Sequence, residues 1–341
     1  MDHDRRNLMK GVLAGGALLA LGLPGIAQAA FAGPIRAGRR RDCILLLGHT
    51  WADAAFAQGA AAAHAAYAGY TGLAPASFAP AAQPQGKRGI AGLRTVVLDE
   101  GLLLQMDKVA GLLARSRGTR WVALMDDASA AIFMEMVRNA GARLLLRGTH
   151  AASGDDSAMT SFGMPALRHV LVAASPRLSA GDMLASELVR HHRSFSITEN
   201  FLGKAAGESS ETIRAVAHPA SVPGFRSYRL KGAETRHLHC SGMQASEGCR
   251  LLGWNEDAKW ARVSGLFAAR ADAAGHDSAE RPRADWVESL GFAMTAAALG
   301  MEQQGMLPAS RGFVHRSQGG QGRRADGIFA EERLASFIID A

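Results

Sequence analysis

The stretch that decides the fold is DCILLLGHT, residues 42–50, in which five apolar residues precede a glycine. A short apolar run that ends in turn-forming residues is typical of a strand buried on both faces of a sheet. Four similar runs follow: RTVVLDE at 94–100, RWVALMDD at 120–127, ARLLLRGTH at 142–150 and LRHVLVAAS at 167–175. Because helical patterns separate most of these runs, the sequence predicts an α/β fold with a mostly parallel, doubly wound sheet.

The segments between these runs have the composition and spacing of helices. The first is the Ala-rich stretch 51–70, and apolar residues recur at helical spacing over 102–113 and again over 132–137. Ser179 is expected to be the N-cap of a further helix, because a serine side chain can accept a hydrogen bond from a free backbone N–H. The pattern therefore indicates strands that alternate with helices.

From about residue 205 the character of the sequence changes to short runs separated by loop-like segments. We expect these runs to form a β-meander, or an antiparallel extension of the sheet, followed by a helix from Trp286, a Gly/Arg-rich loop at 308–327 and a last strand. The runs are FRSYRLKG at 225–232, TRHLHCSG at 235–242, CRLLGWN at 249–255 and KWARVSGLFAAR at 259–270, and the last strand is RLASFIIDA at 333–341.

The first 29 residues have the three parts of a cleavable secretory signal. Arg5, Arg6 and Lys10 give the positive start, 11–23 form an apolar run, and Ala27-Gln28-Ala29 is a small-residue cleavage site. The apolar run is shorter than the roughly 20 residues that span a bilayer, so we expect no stable membrane span after cleavage.

Residues 4–10, DRRNLMK, resemble the signal of the twin-arginine translocation (Tat) pathway, with Asp4 and Leu8 as mild departures from its pattern. The resemblance implies export to the periplasm by the Tat machinery, which carries folded proteins, often with a cofactor or a partner loaded beforehand. An ordinary Sec signal with chance arginines is the alternative. The predicted organisation is a signal at 1–29, a basic linker at 30–41, an α/β domain at 42–204 and a mixed α+β extension at 205–341 on the same core.

Composition and missing motifs exclude several classes of function. The chain has 38 Lys and Arg against 31 Asp and Glu, which gives a formal charge of +7. Only 6% of its residues are aromatic, and no basic stripe is interleaved with aromatic residues. Nucleic-acid binding is therefore not expected. No GxGxxG follows the first strand, and no P-loop, GxSxG, HExxH or CxxCH motif occurs. The identity of any cofactor stays open.

Titratable residues follow several of the predicted strands. His49, Asp99, Asp126 and His150 come at or just after four strand ends, and Ser175 follows the fifth. Ligands of open α/β sheets bind beyond the carboxyl ends of the strands, so these four residues are candidates for an acid/base or metal site. The alternative is that they only terminate strands, with Asp126 capping the next helix.

A second candidate is RHLHCSGMQASEGC at 236–249. On a strand, His237 and His239 lie on one face and can share a metal ion if a third ligand is supplied, whereas Cys240 lies on the other face. The alternative is two half-exposed histidines on a hairpin that a Cys240–Cys249 disulfide closes.

These features favour an exported α/β protein that binds a small molecule or a co-exported partner. The alternative is a periplasmic enzyme, metal-dependent or acid/base, that uses the strand-end residues or the His237/His239 pair. The sequence does not decide whether the chain is catalytic.

Overall fold

The computed structural model describes residues 43–70, 93–152, 167–203, 224–230, 236–263, 286–301, 309–317 and 332–341. These residues form seven α-helices and one sheet of eleven strands. The strands are β1 (Cys43–Leu47), β2 (Leu93–Val97), β3 (Arg120–Asp126), β4 (Arg143–Ala152), β5 (Leu167–Ala173), β6 (Phe195–Phe201), β7 (Arg226–Leu230), β8 (Arg236–Ser241), β9 (Trp260–Arg262), β10 (Ser310–His315) and β11 (Glu332–Asp340). The helices are α1 (Asp53–Tyr70), α2 (Gly101–Leu104), α3 (Met106–Arg115), α4 (Asp127–Asn139), α5 (Gly181–Arg190), α6 (Ala245–Leu251) and α7 (Trp286–Leu299).

The sheet combines parallel and antiparallel strands in the order β2-β1-β3-β11-β4-β5-β6-β10-β8-β7-β9. Both α and β structure are present, as expected, but the mostly parallel, doubly wound arrangement is wrong. Among the strands that the structure describes, β1–β2, β1–β3, β5–β6 and β8–β10 are the parallel pairs, and the other six pairs are antiparallel.

The C-terminal strand β11 is the main reason for this difference. It lies between β3 and β4 and runs antiparallel to both, so these two strands, which follow each other along the chain, are not neighbours in the sheet. An apolar run shows that both faces of a strand are buried, but it does not show the direction of the strand or its place in the sheet.

The C-terminal segment also departs from the expected meander. Strand β7 pairs antiparallel with both β8 and β9, so the order is 8-7-9 rather than consecutive. The run CRLLGWN is not a strand, because its first three residues belong to helix α6. The expected loop at 308–327 contains β10, which lies inside the sheet between β6 and β8.

Helices cover the sheet on both faces. We call the face under α1, α5 and α7 the first face; its core contains Leu45, Leu124, Leu171 and Ile197. On the second face, α2, α3 and α4 cover the strands around β1 and β3, and α6 covers β8 and β10. No helix among these residues is long and apolar enough to cross a membrane. The proposed signal with Arg5, Arg6, Lys10, Ala27 and Ala29 lies outside the described residues.

Helices α1 and α7 approach closely because glycine stands at the contact on each of them. A Cβ at Gly59 would overlap the backbone oxygen of Glu288, and one at Gly291 would overlap the backbone oxygen of Phe56. The two helices can therefore pack backbone to backbone over the first face only while both positions lack a side chain.

We expect Gly59→Ala to lower the free energy of unfolding by about 1–3 kcal/mol, because the added methyl forces the two helix backbones apart. Urea denaturation measures this. The matched control is Gly111→Ala in α3, where the nearest atoms belong to the flexible side chain of Arg115 and the higher helix propensity of alanine predicts no loss. Equal stability of the Gly59 variant and the wild type would contradict the close packing.

Candidate functional site

Two rows of side chains, six of the eight polar, run across four adjacent strands on the first face. Glu199 of β6, Arg311 of β10, His237 of β8 and Arg229 of β7 are consecutive partners in one row. In the next row, Ile197, Phe313, His239 and Ser227 are partners in the same way. Because side chains of cross-strand partners lie on the same face, these strands bring the polar groups together beneath α5.

Arg311 is the centre of the first row and is only 2% exposed. Its Nη2 donates to Glu199 Oε2 at 2.6 Å and also to Ser179 Oγ, and its Nη1 donates to Asp182 Oδ2 at 2.8 Å. The guanidinium carbon also lies 5.3 Å from the centre of the Phe313 ring. A buried cation requires such partners, because removal of an unpaired charge from water is very unfavourable.

Glu199 joins this network to the start of α5. The carboxylate is fully buried and accepts hydrogen bonds from the backbone N–H groups of Ala180 and Gly181 at 2.9 and 3.1 Å and from Ser179 Oγ at 2.9 and 3.0 Å. A negative charge is favourable at a helix N-terminus. Ser179 is therefore not the expected N-cap: Ala180 holds that position, and the Ser179 hydroxyl bonds to Glu199 instead.

His237 and His239 lie on the same face of β8, with ring centres 6.3 Å apart. The ring of His239 stacks on Phe313 at 4.8 Å, and its Nδ1 lies 2.9 Å from Ser227 Oγ. Burial lowers the pKa of His239 to about 3 and that of His237 to about 4, and the positive charge of Arg311 acts in the same direction on both. Both imidazoles are therefore neutral at pH 7.

Within the part of the chain that the structure describes, three polar atoms of this cluster are buried and have no hydrogen-bond partner. They are Nε2 of His237, Nε2 of His239 and Oδ1 of Asp182. The side chain of Asp182 is 26% exposed, so this end of the cluster lies near the surface. Because buried polar atoms are normally paired, these three atoms are candidates to bond a ligand. We call Asp182, Glu199, His237, His239 and Arg311 the arginine–histidine site.

A second polar cluster lies on the same face under α7. His150 Nε2 is 2.7 Å from Ser336 Oγ, and His150 Nδ1 is 2.9 Å from His169 Nδ1. Burial lowers the pKa of His169 to about 3 and that of His150 well below its usual value, and the neighbouring His169 lowers the latter further. A Cβ at Gly148 would overlap both Ser336 and His150, so this cluster is tightly packed.

The four strand-end candidates do not form one site. His49 is exposed, and its backbone N–H donates to Asp53 Oδ2 at 3.0 Å; Asp99 is also exposed. Asp126 caps α4 and accepts from the backbone N–H and the hydroxyl of Ser129 at 2.8 and 2.6 Å. His150 is separated from Asp126 by Leu334 of β11.

The metal and disulfide candidates are placed as follows. No group of three His, Cys, Asp or Glu side chains within the described ranges converges to hold a metal ion, so a metal at His237 and His239 would need ligands from elsewhere.

All three cysteines lie in the described part of the chain and are free thiols, so the Cys240–Cys249 disulfide is absent. Its expected hairpin does not form, because Cys249 lies on helix α6, which packs on β8.

Sequence reasoning missed most of the arginine–histidine site. It named His237 and His239 but not Ser179, Asp182, Glu199 or Arg311. A signal was present for Glu199: in FSITENF, residues 195–201, the residues on its face of the strand are Phe195, Ile197 and Phe201, so a lone carboxylate stands among buried apolar side chains. An ionisable residue at such a position requires a buried partner.

Comparison of the chain with models of protein families, with curated proteins and with solved structures found no match.

Proposed function

We propose that this protein is exported to the periplasm and binds a small, neutral, polar molecule at the arginine–histidine site. The observation that carries the proposal is the set of three unpaired buried atoms, His237 Nε2, His239 Nε2 and Asp182 Oδ1. A ligand that bonds to these atoms would satisfy groups that otherwise lose hydrogen bonds to water without replacement, at roughly 1–3 kcal/mol for each group.

The charges around the site favour a neutral ligand. Arg311 and Arg229 carry two positive charges, and Glu199 and Asp182 carry two negative charges, while both imidazoles are neutral. The charges of these described groups therefore cancel. A charged ligand would have no counterion of its own among them, and burial of an uncompensated charge is unfavourable.

The chemistry of the three atoms favours hydroxyl groups on the ligand. Asp182 Oδ1 only accepts hydrogen bonds, whereas each imidazole Nε2 donates or accepts according to its tautomer. A hydroxyl group can do both, and two neighbouring hydroxyls can bond to the carboxylate and an imidazole together. Polyols and uncharged sugars have this pattern, so they are the ligand class that we propose.

The test is native mass spectrometry of protein purified from the periplasm. We expect the wild type to carry an additional small mass that denaturation releases. His239→Phe should lower the occupancy of this molecule at least about tenfold, because it keeps an aromatic ring but removes Nε2. The control is His192→Asn, at an exposed position. Its φ of 53° lies in the left-handed region, which asparagine tolerates. Wild-type protein without any bound molecule, even after incubation with myo-inositol and glucose, would contradict the proposal.

An acid/base enzyme is the second candidate, and one contact favours it. Ser227 Oγ bonds to His239 Nδ1, which orients the ring and leaves Nε2 free to exchange a proton with a bound molecule. The same purification separates the two functions. An enzyme that lacks its acid/base group retains its substrate, so His239→Asn would carry more bound molecule than the wild type, whereas a binding protein would carry less.

Export by the Tat machinery is part of the proposal and rests on the DRRNLMK segment. We expect Arg5→Lys together with Arg6→Lys to leave the uncleaved precursor in the cytoplasm, as cell fractionation would show. Normal export of this variant would indicate the Sec pathway. A co-exported partner would appear in the same native mass spectra as a second, larger mass.

A further inference from the structure

The second face of the sheet carries an aromatic and basic surface where β7, β8 and β9 lie side by side. Alternate residues of these strands point away from the arginine–histidine site, so the same strands present different chemistry on their two faces. The residues of this face are Arg226, Tyr228, Arg236, Trp260 and Arg262, and Trp254 packs over them from the segment after α6. We call these six residues the Trp–Arg surface.

Trp254 and Trp260 form the centre of this surface. Their rings are nearly parallel, at 8°, with centres 5.8 Å apart, and the guanidinium carbon of Arg236 lies 5.7 Å from the Trp254 ring. Trp260 Nε1 also donates to the backbone oxygen of Asn255 at 3.2 Å. These contacts fix the orientation of both rings although each is only half-buried.

The charge around the aromatic pair is predominantly positive. Arg226, Arg250, Lys259 and Arg262 are all exposed. The neighbouring acids are fewer: Glu256 and Asp257 are exposed in the turn before β9, and Glu247 is already paired with Arg316. A partner that meets this surface is therefore expected to be anionic.

The arrangement of the two tryptophan rings favours an acidic polysaccharide over a single-stranded nucleic acid as the anionic partner. Trp254 already contacts Arg236 and Trp260 and lies over Gly312 of β10, which leaves Trp260 as the more available ring. Binding of a single-stranded nucleic acid relies on several successive rings, each stacked with one base. A sugar ring needs only one flat apolar face, and the carboxylates of an acidic sugar can pair with arginine side chains.

We propose that the Trp–Arg surface binds an acidic polysaccharide, with one sugar ring against Trp260 and neighbouring carboxylates at Arg262 and Arg226. This surface is independent of the ligand site, because it lies on the opposite face of the sheet. The sequence did not indicate it, since its basic and aromatic residues come from separate strands and form a continuous surface only after folding.

The test measures the affinity of the exported chain for polygalacturonate, with neutral dextran and a thymidine oligonucleotide as comparison probes. We expect binding to polygalacturonate, none to dextran, and loss of binding at about 0.5 M salt, because exposed charges are screened. The variant Arg262→Ala with Arg226→Ala should weaken binding roughly tenfold or more. Both positions are exposed, so this variant is expected to fold normally.

The matched control is Arg94→Ala with Arg138→Ala, which removes two exposed arginines from β2 and α4, far along the sheet from β9. This control should bind polygalacturonate as the wild type does. If both double variants bind polygalacturonate equally weakly, the loss of affinity comes from the lower net charge alone, and the proposal is overturned. Tighter binding of the oligonucleotide than of polygalacturonate would assign the surface to nucleic acid instead, and no binding of either probe would also overturn the proposal.

Discussion

Acidification from about pH 7.5 to about pH 5 is expected to remove most of the free energy of unfolding of this protein. Four histidines are almost fully buried on the first face: His150, His169, His237 and His239. Burial lowers the pKa of His169 and His239 to about 3 and that of His237 to about 4, and it lowers the pKa of His150 well below the ordinary value of 6.5.

The direction of the effect follows from proton uptake. Below pH 6.5 the unfolded chain binds protons at these histidines and the folded chain does not. The free energy of unfolding therefore falls as the pH drops from 6.5 toward the pKa values of the folded state. Each buried histidine contributes up to about 1.4 kcal/mol per pH unit, so four together contribute roughly 5 kcal/mol per unit. Between pH 6.5 and pH 5 the loss amounts to roughly 8 kcal/mol, which would unfold a domain in the lower half of the ordinary range of about 5–15 kcal/mol.

Urea denaturation at several pH values measures this effect. His192→Asn is the comparison variant, because this exposed position lies outside the buried four. A free energy of unfolding that stays constant between about pH 7.5 and about pH 5 would contradict the burial of the four neutral imidazoles.

Arg311→Met is expected to destabilise the protein by about 3–5 kcal/mol, because it leaves the carboxylates of Glu199 and Asp182 without their cation. Methionine fills much of the same volume, so the loss reports the charge rather than a cavity. Glu199 is fully buried, and it cannot turn toward water without breaking its bonds to the first turn of α5.

The double variant Arg311→Met with Glu199→Gln separates charge from packing. It removes one charge of each sign, so we expect it to recover part of the stability that the single variant loses. Arg138→Met, at an exposed position on α4, should change stability by less than about 0.5 kcal/mol. A loss below about 1 kcal/mol in the Arg311 single variant would show that the arginine is not buried in this network.

Much of the fold could be predicted from single segments of the sequence. Each of the five apolar runs between 42 and 175 contains a strand, and helices occur after the first three, because local periodicity reports secondary structure directly. The sheet order could not be predicted in the same way. RLASFIIDA is a recognisable strand, but its place between β3 and β4 depends on contacts between residues about 200 positions apart.

The candidate site could be predicted only where its residues share one strand. His237 and His239 were found because their spacing places them on one face of β8. Arg311 was overlooked because its strand, SRGFVH, lies in a Gly/Arg-rich segment that is typical of a loop. Glu199 and Asp182 become parts of a site only through Arg311, so no local pattern could identify the three together.

The most direct test of the ligand site is a crystal structure of the protein purified from the periplasm with its bound molecules retained. We predict an additional molecule with oxygen atoms about 2.6–3.2 Å from Asp182 Oδ1 and from Nε2 of His237 or His239. Side chains of the protein itself bonded to all three of these atoms would contradict the account, because the site would then be a closed structural network.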